Sequence, residues 1–175
     1  MPATMSIADT MLAEFEQELT TTRRFLERLP ADRLTWKPHE KSMTAGQLAR
    51  HIAEAPGVIA EAAMADEFEM PNFEDAFPQP TSTGEVIEAM DGAAEKVRAA
   101  LGGFDDARML APWRVVKDGN VVMEMPRMVF VRNIMFNHTY HHRGQFGVYL
   151  RLMGAKVPSV YGPSGDEGMD GKPLD

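Results

Sequence analysis

Three histidines carry the chemistry this chain offers most directly. His138 and His142 lie four residues apart within NHTYHHRGQFGVYL, a spacing that puts two side chains on one helical face with Cβ atoms roughly 5–6 Å apart. Both rings can then reach one ion at the metal–nitrogen distance of about 2.0–2.1 Å that zinc adopts. A third ligand has to come from another element. The other histidine on an apolar helical stripe is His51, in GQLARHIAEA beside Leu48, Ile52, Ala55 and Ile59. A lone histidine on such a stripe is ordinarily a packed core residue, but each buried ring nitrogen needs a partner, and two imidazoles at i,i+4 shift the reading toward a shared ligand. His141 pairs with His138 at i,i+3, yet at about 100° per residue it falls further round the helix than His142. His142 is therefore taken as the ligand and His141 as a flanking residue. His39, in the Pro-bounded WKPHEKS, reads as a solvated loop residue. Because imidazole ligands must be unprotonated, binding at this site is expected to weaken as pH falls through the ordinary histidine range.

Four long amphipathic patterns are available to position these residues. Helix one carries Ile7, Met11, Phe15, Leu19, Thr22, Leu26 and Leu29, and is expected to stop at Pro30, which cannot continue the hydrogen-bond ladder. Helix two opens with a Thr44–Gln47 capping box and runs through Leu48, His51, Ile52, Ala55, Ile59 and Ala62 to the breaker-rich MPNFEDAFPQP. Pro56 inside it predicts a kink or local widening one turn from His51. Helix three opens with a second capping box, Ser82–Glu85, and carries Val86, Met90, Ala94, Val97 and Leu101 before Gly102-Gly103. WRVV and VVMEM then flank KDGN, which predicts a hairpin turning at Asp118-Gly119 or Gly119-Asn120. Pro126 suits the first turn of helix four, whose stripe is Met128, Val131, Met135, His138, His142, Gln145, Tyr149 and Leu152, closed by Gly154. A second apolar flank on that helix, Phe130, Ile134 and Val148, calls for two neighbours or another subunit, and a homodimer is expected. Together these elements imply an all-α four-helix bundle with a short β-hairpin between helices three and four, in a single domain spanning residues 1–175. The closing VPSVYGPSGDEGMDGKPLD is Pro- and Gly-rich and reads as a mobile tail.

Composition narrows the function classes. Of the 175 residues, 44% are hydrophobic and 25% charged, the profile of a globular domain rather than a disordered segment. A net charge of −8 argues against nucleic acid as partner, since that affinity rests on Lys and Arg meeting phosphates. There is no cysteine, so disulfides, thiolate metal sites and a cysteine nucleophile are all ruled out. No apolar stretch approaches the roughly 18 residues of a membrane span, and the N-terminal pattern has no signal-peptide apolar core. A cytoplasmic location without membrane partners is the expectation.

The motifs match a known family. Over nearly its whole length the chain resembles the DinB family, DinB/YfiT-like metalloenzymes, through KSMTAGQLARHIAEAP, through RNIMFNHTYHHRGQFGVYLRLMG with its H-x-x-x-H-R-G-Q core, and through VPSVYGPSGDEG. The resemblance implies a four-helix bundle, commonly dimeric, holding a divalent metal on three histidines, and places those ligands on His51, His138 and His142. Zinc, nickel and iron all suit imidazole. It further implies chemistry on a small molecule, with similar proteins including thiol-dependent transferases and isomerases, while many damage-inducible members carry no assigned reaction. A metal-dependent transferase or hydrolase, with a low-molecular-weight thiol as cosubstrate, is one expectation; a non-catalytic metal-binding stress-response protein is another, and a three-histidine iron site for oxygen chemistry is a third. No catalytic side chain is singled out. Glu54, one turn from His51, reads as a solvated glutamate or a proton acceptor, and Gln145 as a hydrogen-bond partner behind a ligand or a packing residue. Tyr140 and Arg143 face away from the ligand stripe. Asp166 and Glu167 read as a charged tail loop or a cover over the site.

Overall fold

Ser6 opens the first helix with a capping box that the sequence reading had not identified. In the computed structural model, which describes residues 5–69 and 78–174, its hydroxyl accepts from the Asp9 amide while the Asp9 carboxylate accepts from the Ser6 amide. Two otherwise free donors are thereby satisfied. Helix α1 spans Ile7–Leu26, about one turn less than the pattern to Pro30 suggested. The amides of Arg28 and Leu29 bond three residues back, to Phe25 and Leu26, so the chain tightens out of α-helical geometry before the proline is reached. Most of the breaker-rich stretch 70–80 lies outside the described residues.

Helix α2 (Ala45–Met64) begins at the expected reciprocal Thr44–Gln47 box and stays α-helical through Pro56. Gly57 next to it is a contact point: a Cβ there would lie 2.8 Å from the Cα of Ala93, so its hydrogen lets α2 and α3 close. Helix α3 (Thr83–Gly102) starts with only half the expected box. The Ser82 hydroxyl accepts from the Glu85 amide, but the Glu85 carboxylate accepts instead from the amide and hydroxyl of Thr81 and from Arg50 of α2. A cation on the neighbouring helix and a nearer hydroxyl outcompete the Ser82 amide. A short helix α4 (Asp106–Leu110) follows.

The rest is a small sheet and a long composite helix. Strands β2 (Pro112–Lys117) and β3 (Asn120–Pro126) pair antiparallel around Asp118 and Gly119, which both have positive φ, as a two-residue type I′ connection requires. Strand β1 (Glu67–Glu69), not foreseen from the sequence, pairs parallel with β2. The fourth helical pattern divides into α5 (Arg127–Phe130), a π-helical segment Val131–Asn137, and α6 (His138–Leu152). Widening therefore occurs just before His138 rather than at Pro56. Gly154 at φ +78° ends α6, its amide on the Arg151 carbonyl and that of Ala155 on the Leu150 carbonyl, a Schellman closure.

Two apolar clusters fill the interior. One gathers Met11, Phe15, Ile59, Val97, Trp113, Phe130 and Met135; the other gathers Phe25, Leu26, Leu48, Ile52, Val86, Phe146 and Leu150. Trp113 stacks on Phe130 with ring centroids 3.6 Å apart, so the sheet covers Phe130 and removes it from the flank left for a partner. Ile134 and Val148 remain exposed, at 42% and 58%.

Buried charges tie the periphery down. Arg127, fully buried, donates to the carbonyls of Ala63, Ala65 and Arg108 and to the Asp66 carboxylate, clasping the end of α2 to α4 and the sheet. Arg143 of α6, 3% exposed, donates to Glu18 (2.6 Å) and Thr22 (3.2 Å) of α1 and to the Tyr161 hydroxyl (2.9 Å), which itself donates to Glu18. The closing segment is held rather than mobile. Glu167 is buried against Arg24, Arg28 and the Ser159 amide, and Asp166 binds Arg151 and the Val157 amide. No helix among the described residues is long and apolar enough to cross a membrane.

Candidate metal centre

His51 from α2 and His138 and His142 from α6 meet where the two apolar clusters adjoin. Ile52 belongs to one cluster and Ala55 to the other, and on the facing chain Phe136 and Phe146 divide in the same way. The Tyr149 hydroxyl of α6 donates to the Met43 carbonyl just ahead of one end of α2, and the Trp113 ring of β2 donates to the Ala62 carbonyl near its other end. Between those ends the imidazole Nε2 atoms converge. His138 Nε2 lies 3.3 Å from His51 Nε2 and 3.0 Å from His142 Nε2, and one ligand atom from each ring falls within 4.8 Å of the others. A tetrahedral ion about 2.0–2.1 Å from each nitrogen would space them about 3.3–3.4 Å apart, so shifts of a few tenths of an ångström suffice at the two pairs that include His138, and the His51–His142 pair has the larger distance to close. The three-histidine group can hold a metal ion.

A single proton is shared poorly across this arrangement. His142 Nδ1 lies 2.9 Å from the Gln145 Oε1 oxygen, which only accepts, so the proton sits on Nδ1 and Nε2 presents a lone pair. His138 Nε2 faces both neighbours and carries at most one proton. Present, that proton makes at best a three-centre bond with acceptors 3.0 and 3.3 Å away; withheld, the His138 and His142 lone pairs face one another across 3.0 Å. Additional protonation is disfavoured as well. Burial, then the neighbouring His138 and His142 rings, lowers the pKa of His51 to about 4, and burial, then His142 and His141, lowers that of His138 to about 4. His142 is lowered by burial and by His141 against the opposing effect of Gln145. His51 and His138 are thus neutral well below the ordinary histidine range and His142 is shifted in the same direction, so acid release of a cation held there would move below the range expected from the sequence. A cation can accept three lone pairs at once, where one proton is shared between two.

The other candidate residues are placed elsewhere. His141 is exposed beside His142, with ring centroids 4.8 Å apart, and is not part of the converging group; His39 is exposed in its loop, where its Nδ1 accepts from Lys41. Glu54 is half-buried and paired with Arg50 at 2.9 Å, so it is neither freely solvated nor aimed at the imidazoles. Tyr140 turns to Glu14 at 2.6 Å and Arg143 to Glu18, both away from the ligand face. Asp166 and Glu167 do not cover the site: Arg151, which holds Asp166, sits roughly half a turn round α6 from the histidines at about 100° per residue. A cavity of about 20 Å³, room for about one water, lies at the level of the site among Glu18, Thr22, Ile52, Met90, Thr139 and Tyr140, without reaching the imidazoles. The buried Glu18–Arg143 pair escaped sequence reading because its members lie 125 residues apart.

Comparison with known proteins bears on the family and the fold. A Bacillus subtilis (strain 168) protein, the uncharacterized YrdA, is 27% identical over 160 residues, covering 91% of this chain and 90% of its own length. A DinB-like protein from Bacillus cereus ATCC 10987 superposes with a TM-score of 0.68 at 25% identity, over 86% of this chain and 95% of that one. YjoA, a DinB-like protein from Bacillus subtilis, superposes with a TM-score of 0.66 at 20% identity, over 87% and 96%. The DinB family model itself matches residues 1–170. This mostly helical chain with its small three-stranded sheet and three-histidine cluster belongs to the DinB family.

Proposed function

We propose that His51, His138 and His142 are the ligands of one divalent ion, zinc, nickel or iron, in a single four-helix-bundle domain of the DinB/YfiT type with the β2–β3 hairpin between its third and fourth long helices, and that the protein is a metal-dependent transferase or hydrolase acting on a small molecule with a low-molecular-weight thiol as cosubstrate. The observation that carries the metal reading is the convergence of three half-buried imidazoles whose ligand atoms lie within 4.8 Å of one another. Three neutral ligands leave the ion its full charge and a tetrahedral shell one position short, the pattern of catalytic rather than closed sites. When bound, such an ion supplies Lewis-acid polarisation and acidifies whatever occupies that position. The chain's own contribution is a rigid donor set: α2 presents one imidazole, α6 presents two, and Gln145 orients one of them. An external thiol suits a chain that has no cysteine.

Elemental analysis of the purified protein, followed by cobalt substitution, tests this reading. Cobalt should load at one equivalent, be lost on replacing all three histidines by alanine, and change its absorption spectrum on adding azide or a small thiol. Retention of metal by the triple variant refutes the ligand assignment. A cobalt spectrum indifferent to every small ligand and to pH means a closed shell, and replaces the enzyme by a non-catalytic metal-binding stress-response protein.

A further inference from the structure

We propose that Gln145 is a positioning residue for this site: by accepting the Nδ1 proton of His142 it fixes that ring as the imidazole whose lone pair is aimed at the ion before any ion arrives. The inference rests on the metal reading above but concerns a contact that exists without metal. Gln145 follows His142 by three residues on α6, a helical spacing that stacks the side chains, and its Oε1 lies 2.9 Å from His142 Nδ1. Which ring nitrogen of a histidine carries the proton is set by the hydrogen bond made by the other. An oxygen acceptor at Nδ1 therefore leaves Nε2 unprotonated and directed at His138 Nε2, 3.0 Å away.

The contrast with His138 shows why this matters. His138 Nδ1 is buried and has no hydrogen-bond partner among the described residues, so nothing described there holds the proton on Nδ1, and the lone pair of His142 draws it to Nε2 instead. His142 thus enters the site ready to bind, while His138 must give up its Nε2 proton as binding occurs. Partners behind metal-bound imidazoles are worth 10- to 100-fold in metal affinity. The other nearby ring, His141, is exposed with its centroid 4.8 Å from that of His142; it makes a ring contact and does not supply the oxygen acceptor.

Two variants and two readouts test the idea. Gln145→Leu keeps the bulk and removes the acceptor; Gln145→Glu keeps an acceptor. In metal-free protein near neutral pH, nitrogen-15 chemical shifts should show His142 protonated on Nδ1 in the parent and in Gln145→Glu, and a mixture or the opposite tautomer in Gln145→Leu. Zinc affinity, measured by competition with a chromophoric chelator, should fall about 10- to 100-fold in Gln145→Leu and be largely restored in Gln145→Glu, with helical circular dichroism unchanged in both. If Gln145→Leu keeps the Nδ1 tautomer, or loses it without losing zinc affinity, the positioning role is refuted. A parent protein that binds no zinc, nickel or iron overturns the metal reading instead, while the nitrogen-15 shifts still decide whether Gln145 holds the ring.

Discussion

Replacing Arg143 by methionine should be more damaging than replacing Arg143 and Glu18 together. The pair is enclosed, with Arg143 3% and Glu18 8% exposed, and the guanidinium supplies the 2.6 Å bond to one carboxylate oxygen while Tyr161 supplies the other at 3.0 Å. Arg143→Met leaves the Glu18 carboxylate with a single donor in a site that water does not readily reach. Breaking one side of a buried ion pair costs about 3–5 kcal/mol, and a domain of this size loses about 2–4 °C of melting temperature per kcal/mol. A fall of roughly 6–20 °C is therefore expected. Glu18→Leu should cost a similar amount, because the guanidinium would keep only the Thr22 and Tyr161 oxygens. In the double variant no charge is stranded, and an apolar pair of similar volume is often neutral against the ion pair it replaces. Two hydroxyls lose a partner, at about 1 kcal/mol each, so the double variant should lie within about 2 kcal/mol of the parent. Urea unfolding of metal-free protein, followed by circular dichroism, reads all four corners of the cycle, with an unchanged denaturant slope confirming that stability alone has altered. Additive single-variant costs, or an Arg143→Met loss below about 1 kcal/mol, would refute the placement of this pair in a water-poor interior.

Metal affinity should persist to lower pH than ordinary histidine ligands allow and fall most steeply towards pH 4, because the His51 and His138 rings are held neutral down to about 4 and His142 is lowered as well; chelator competition showing the whole decline centred near 6.5 would refute those environments. The same depression makes metal-free protein less stable in acid. Its unfolded imidazoles take up protons from about 6.5 downward while the folded ones resist until about 4, so the loss accrues between those values and adds nothing further below them. A homodimer is expected to use the exposed Ile134 and Val148, and Ile134→Asp with Val148→Asp should convert it to monomer in sedimentation velocity; a parent that is monomeric at micromolar concentration rules the dimer out.

Local periodicity made much of the site legible. His138 and His142 share a face because they are four apart on a helix, and His51 reaches them because its stripe, running from Leu48 to Ile59, packs α2 along α6. Long-range competition is where that reading fails. Thr44–Gln47 and Ser82–Glu85 are the same local signal, yet the first forms fully and the second does not, because Arg50 and Thr81 draw the Glu85 carboxylate away. The π-helical segment has no proline or glycine to announce it: VRNIMFN reads as uninterrupted helix. Its extra residue per turn is accommodated where Val131, Met135 and Phe136 all enter the core, a condition set by α1, α2 and the sheet together. Such widened turns recur at functional sites. Here the segment ends at the residue before His138, so the rotation it introduces sets which way the first imidazole of α6 faces. The i,i+4 rule brings His142 alongside His138, but the direction of the pair toward His51 is decided upstream, in a stretch whose sequence carries no sign of it.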